Sequence, residues 1–100
     1  MSRAEVARAI AFFEASEDTA LLRETLQLIR PRAAAAVRRL EMAGRSAPEP
    51  APIAPAAQPA TRQEALLSVR NVQDFGELQA LSRAIGRRLE ALMQRPSEDS

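Results

Sequence analysis

Residues 75–94 read FGELQALSRAIGRRLEALMQ, the most regular apolar repeat in the chain. Large apolar side chains recur at steps of three and four residues, a spacing that places them on one face of an α-helix. The stripe covers about three heptads, as in a coiled coil, with the polar Ser82 in its seam. The sequence therefore predicts a helix over 75–94 whose apolar face must be covered. The residues expected on that face are Phe75, Leu78, Leu81, Ile85, Leu89 and Leu92.

The rest of the chain is also predicted to be helical. Twenty-one alanines and eleven leucines stand against three glycines in 100 residues, and Ala and Leu have the highest intrinsic helix propensities. We therefore expect an all-α fold. Its predicted parts are a three-helix unit over residues 1–44, a helical hairpin over 61–95 and an acidic tail over 96–100.

Pro31 decides how many helices are predicted in residues 1–44. Proline lacks an amide hydrogen and disfavours helical geometry at the residue before it, so we expect the second helix to stop near Arg30. Pro31 would then lie in the first turn of a third helix that ends near Gly44. The apolar residues of the second helix cover almost half of its circumference, which is wide for a helix with one neighbour.

A segment rich in proline and alanine, residues 45–60, separates the two predicted units. It holds five of the seven prolines, a composition typical of an extended, flexible linker that reaches on the order of 50 Å. Such a length can either keep two units apart or allow the second unit to fold back on the first.

Several side chains that carry out catalysis are missing from the sequence, which has no His, Cys or Lys. General bases, activated thiols and transition-metal ligands come mostly from these residues. The adjacent pairs Glu17-Asp18 and Glu98-Asp99 suit helix capping and solvation rather than a convergent site. We therefore expect no enzyme activity, no cofactor, no metal site and no small-molecule substrate.

The expected compartment is the cytoplasm of a bacterium. No apolar run reaches the roughly 20 residues needed to span a bilayer, and no cysteine is present to form a disulfide. Arginine without any lysine, on an alanine- and proline-rich background, is typical of a GC-rich genome.

A cluster of arginines lies between residues 30 and 45, where only Glu41 opposes them. The planar guanidinium binds phosphates and carboxylates through paired hydrogen bonds. This cluster can therefore contact nucleic acid or an acidic partner, or it can simply solvate one face of a helix. Its members are Arg30, Arg32, Arg38, Arg39 and Arg45.

Two functions follow from these features. The first is a non-enzymatic adaptor for protein–protein interaction, acting through the amphipathic last helix on a partner or on a second copy of the chain; the alternative for that helix is internal packing. The second is a DNA-binding accessory protein that uses the arginine cluster, with the last helix setting the oligomeric state. In organisation alone, the second plan is similar to that of phage DNA-packaging recognition subunits and small bacterial regulators.

Overall fold

The computed structural model describes residues 3–45 and 53–94, and the regular structure in these ranges consists of four helices. The predicted all-α fold is confirmed, and the last helix has the predicted bounds, 75–94. None of the described helices is long and apolar enough to cross a membrane. The acidic tail lies outside the described residues. The helices are α1 (Arg3–Ala15), α2 (Thr19–Met42), α3 (Arg62–Asn71) and α4 (Phe75–Gln94).

Short polar side chains begin three of these helices. The carboxylate of Asp18 accepts a hydrogen bond of 3.1 Å from the backbone N–H of Leu21 and so caps α2. Thr61 and Glu64 form a reciprocal capping box at α3, and Asp74 caps α4. Each cap satisfies backbone donors that have no partner inside the helix, which explains why these boundaries are visible in the sequence.

Gly44 ends α2 with a positive φ of 75°. Its N–H donates to the carbonyl of Glu41 at 2.9 Å, and the N–H of Arg45 donates to the carbonyl of Leu40 at 2.8 Å. This pair of bonds is the Schellman motif, which requires a left-handed residue at the position that Gly44 occupies.

The predicted break at Pro31 is wrong, because α2 continues through that residue as one helix of 24 residues. The buried side chains on either side of the proline, among them Ile29 and Ala33, lie on one continuous face. Their burial outweighs the cost of about 3 kcal/mol that an interior proline imposes. Pro31 itself is exposed, and so is Gln27, whose carbonyl loses its helical donor and is accessible to water. Residues 3–45 therefore form two helices rather than three.

α4 is the central helix of the bundle. It packs against both α1 and α2, and α3 packs against α1. The side chain of Arg88, near the end of α4, contacts the carbonyl of Ser16 just before α2 begins, whereas Arg32 in the middle of α2 contacts residues that precede α4. α2 and α4 are therefore antiparallel. Buried side chains from all four helices belong to a single hydrophobic cluster.

The second half of the predicted linker lies along α1. Residues 46–52 are outside the described residues, but the N–H of Ala56 donates to the carbonyl of Ala7 at 3.1 Å, and Ala60 donates to Arg8 at 3.0 Å. Ala60 is also buried in the core. The linker is expected from its sequence either to keep two units apart or to let the second fold back on the first. In the structure the C-terminal helices fold back.

An ion pair also joins α1 to α3. Arg8 and Glu64 are 3.1 Å apart on the surface. Hydrogen bonds from the backbone and the hydroxyl of Thr61, together with the positive charge of Arg8, lower the pKa of Glu64. Glu64 therefore stays ionised under mildly acidic conditions and keeps both its cap and its ion pair.

Candidate interaction groove and arginine surface

A groove runs between α2 and α3, two helices that do not pack together along their length. Its floor is apolar and buried, formed by Leu21 and Val69 together with Thr25. The hydroxyl of Thr25 donates to the carbonyl of Leu21 at 2.7 Å, so the floor exposes no unsatisfied polar group. The groove has a volume of about 420 Å³, within the usual range for ligand-binding clefts.

Leucines form the upper walls of this groove and remain exposed. Leu28 of α2 has 57% of its surface accessible, and Leu67 of α3 has 48%. Leu66 is half-buried beside them. Among the described residues four large apolar side chains are exposed, and two of those four line the groove. Such a concentration of accessible apolar surface is typical of a binding site rather than of scattered surface leucines.

Polar contacts between the helices hold the two ends of the groove. At one end the guanidinium of Arg32 donates to the carbonyls of Val69, Arg70 and Val72, which are the last acceptors of α3. At the other end Arg62 lies 4.0 Å from Asp18. These contacts join α2 to α3 at both ends of the groove.

The rim of the groove carries charges of both signs, and at one end Arg62 is paired with Asp18. Arg62 and Arg70 line it on α3, and Glu24 lines it on α2. Arg62 and Arg70 are eight residues apart on one helix, a distance of about 12 Å. A ligand with two negative groups at that spacing and an apolar centre would match the groove.

The predicted arginine cluster divides into two parts. Arg32 is partly buried and serves as an internal cap of α3, so it is committed within the fold. The other four are exposed, and their guanidinium groups have no hydrogen bond or ion pair with a described residue. Those four are Arg30, Arg38, Arg39 and Arg45.

The apolar stripe of α4 is covered within the same chain. Leu78, Leu81 and Ile85 are fully buried in the core, while Phe75, Leu89 and Leu92 are partly buried against it. The covering helices are α1 and α2. Of the two alternatives for this stripe, the structure shows internal packing, and little of its surface remains for a partner.

The sequence analysis did not identify the groove. One signal was present, since the apolar residues of α2 cover more of its circumference than one neighbour needs, and Leu28 is the residue left over. The arrangement of Leu66 and Leu67 opposite Leu28 depends on how α3 folds back, which no local pattern indicates.

Comparisons with protein-family models, with curated proteins and with solved structures found no match to this chain. The surfaces of the molecule itself are therefore the evidence for its function. Within the described residues, no three acidic side chains are grouped closely enough to hold a metal ion.

Proposed function

We propose that the protein is a non-enzymatic interaction module that binds an amphipathic helix of a protein partner in the groove between α2 and α3. The observation that carries this proposal is the pair of exposed leucines, Leu28 and Leu67, which line one groove together with a buried apolar floor. Binding of an apolar helix face in a groove is a common mode of peptide recognition. The stripe of α4, where the sequence analysis expected the interface, is occupied by α1 and α2.

The charges on the rim specify the partner further. A helix lying along the groove would place apolar residues at positions i, i+4 and i+7 against the leucines. Carboxylates about 12 Å apart on its flank would lie opposite Arg62 and Arg70. The partner segment is therefore expected to be apolar on one face and acidic beside it, and a basic flank would be repelled.

A pair of synthetic helical peptides tests this proposal. Both carry the same apolar residues, and they differ only in having glutamates or arginines at the two flanking positions. We expect the acidic peptide to bind the protein and the basic peptide to bind more weakly. Leu28→Glu should lower the affinity for the acidic peptide by about tenfold to a hundredfold, because burying a leucine contributes about 1.5–3 kcal/mol to binding.

Met42→Glu is the matched control, since Met42 is 87% exposed and lies outside the groove. This variant should bind the acidic peptide as the wild type does, and thermal melts should show that both variants remain folded. Equal binding of the two peptides would contradict the proposed charge preference, and binding unaffected by Leu28→Glu would contradict the groove. A dimer in solution that dissociates on Leu28→Glu would show that a second copy occupies it instead.

A further inference from the structure

A row of arginines runs along α2 on the side turned to solvent. Arg23, Arg30 and Arg38 are seven and eight residues apart, so with about 3.6 residues per turn their side chains leave the helix within an arc of about 80°. All three are exposed and none has a partner among the described residues. We call these three residues the arginine face. Arg23 precedes the cluster that the sequence analysis identified, and the continuity of α2 through Pro31 brings it into line.

The arginine face carries almost no apolar surface. The exposed residues between its arginines are Gln27 and Ala34, which point in a similar direction. A protein interface needs a desolvated apolar centre, usually with aromatic or aliphatic anchors. The arginine face lacks such a centre, whereas a phosphate backbone requires only positive charge at suitable intervals. The composition of this surface therefore favours nucleic acid over an acidic protein.

We propose that the arginine face binds the phosphate backbone of duplex nucleic acid. Its three guanidinium groups extend over about 22 Å of helix, a distance along which duplex DNA presents about 13 phosphate charges. The fork of each guanidinium donates two hydrogen bonds to a phosphate. Since Ala34 has no polar group and Gln27 is the one side chain between these arginines that can read a base edge, the binding depends mainly on phosphates and shows little sequence preference.

Glu41 provides an internal probe of this surface. It is exposed and follows Arg38 by three residues, which places it on the same side of α2. Its negative charge would lie close to any phosphate bound by Arg38. Removing that charge should therefore strengthen the binding of nucleic acid without lowering the stability of the fold.

The test measures fluorescence anisotropy of a labelled DNA duplex of about 21 base pairs, two helical turns, between about 50 and 200 mM salt. Each phosphate neutralised by the protein contributes roughly 0.9 to the slope of log affinity against log salt. Replacing Arg23, Arg30 and Arg38 together by Gln should reduce this slope by about 2.7. Glu41→Gln should raise the affinity at every salt concentration.

A second triple variant controls for net charge. Arg3, Arg83 and Arg87 are also exposed and unpaired, and they lie on α1 and α4. Replacing these three by Gln removes the same charge from the molecule and should leave most of the slope in place. Equal losses in the two triple variants would overturn the proposal, and so would an absence of DNA binding at about 50 mM salt. If polyglutamate bound as tightly as the duplex, the arginine face would be assigned to an acidic protein, and the proposal would again be overturned.

Discussion

Arg32 shows how one side chain can be assigned to the wrong role when only its neighbours in sequence are known. In the sequence it is one of five arginines in a basic cluster, while in the structure it caps the C-terminus of α3 from across the groove. Helix ends leave several carbonyls without partners, and a cation near them also interacts favourably with the helix dipole. Arg32 therefore supports the fold and the groove.

Replacement of Arg32 tests this role. We expect Arg32→Gln to lower the free energy of unfolding by about 1.5–3 kcal/mol, because hydrogen bonds from a charged donor are lost and carbonyls of α3 remain unpaired. Arg30→Gln, two residues away and exposed, should change it by less than about 0.5 kcal/mol. Urea unfolding followed by circular dichroism measures both. Equal effects of the two substitutions would refute a special role for Arg32.

In α2 the local conformational preference of a proline competes with the burial of apolar side chains. Proline disfavours helix at Pro31, and the flanking sequence offers good helix formers on both sides. The buried face formed by Ile29 and Ala33 is continuous across the proline, and its packing against α4 keeps the helix intact. As a result, α2 spans about 36 Å and carries both the groove and the arginine face.

Pro31→Ala distinguishes a continuous helix from a broken one. In a continuous α2 the substitution restores a backbone donor to the carbonyl of Gln27, and the free energy of unfolding should rise by about 1–3 kcal/mol. At the first position of a separate helix, proline is instead favourable and its loss would destabilise the protein. Urea midpoints decide between the two. Ala35→Gly, also in α2 and exposed, is the companion variant and should cost about 0.5–1 kcal/mol if the segment is helical.

The four helices form one body, since buried residues of every helix join one hydrophobic cluster. A segment of about 33 residues cannot bury enough apolar surface to fold alone. Both halves of the chain therefore need the shared core, and we expect them to unfold together. The second half of the linker belongs to this body as well, through the backbone bonds of Ala56 and Ala60 to α1.

Ile85→Ala tests this cooperativity. Ile85 is fully buried, and shortening it should lower the free energy of unfolding by about 2–5 kcal/mol. Amide hydrogen exchange should show a similar loss of protection in α1, α2 and α4. Met93→Ala, exposed near the end of the same helix, should leave protection unchanged. Loss of protection confined to α4 would mean that the two halves are independent units.

Local sequence patterns are enough to specify the helical class, the caps at Asp18, Thr61 and Asp74, the Gly44 terminator and the apolar face of α4. These features depend on residues within about one or two turns of each other, where spacing and side-chain chemistry are sufficient. Four other features depend on how the whole chain folds: the helices that cover that face, the continuity of α2, the role of Arg32 and the groove beside it. The contacts responsible join residues far apart in the chain, 37 positions from Arg32 to Val69 and 72 from Ser16 to Arg88. Local propensity contains no information about such pairs, because their energies arise only when the chain closes on its core.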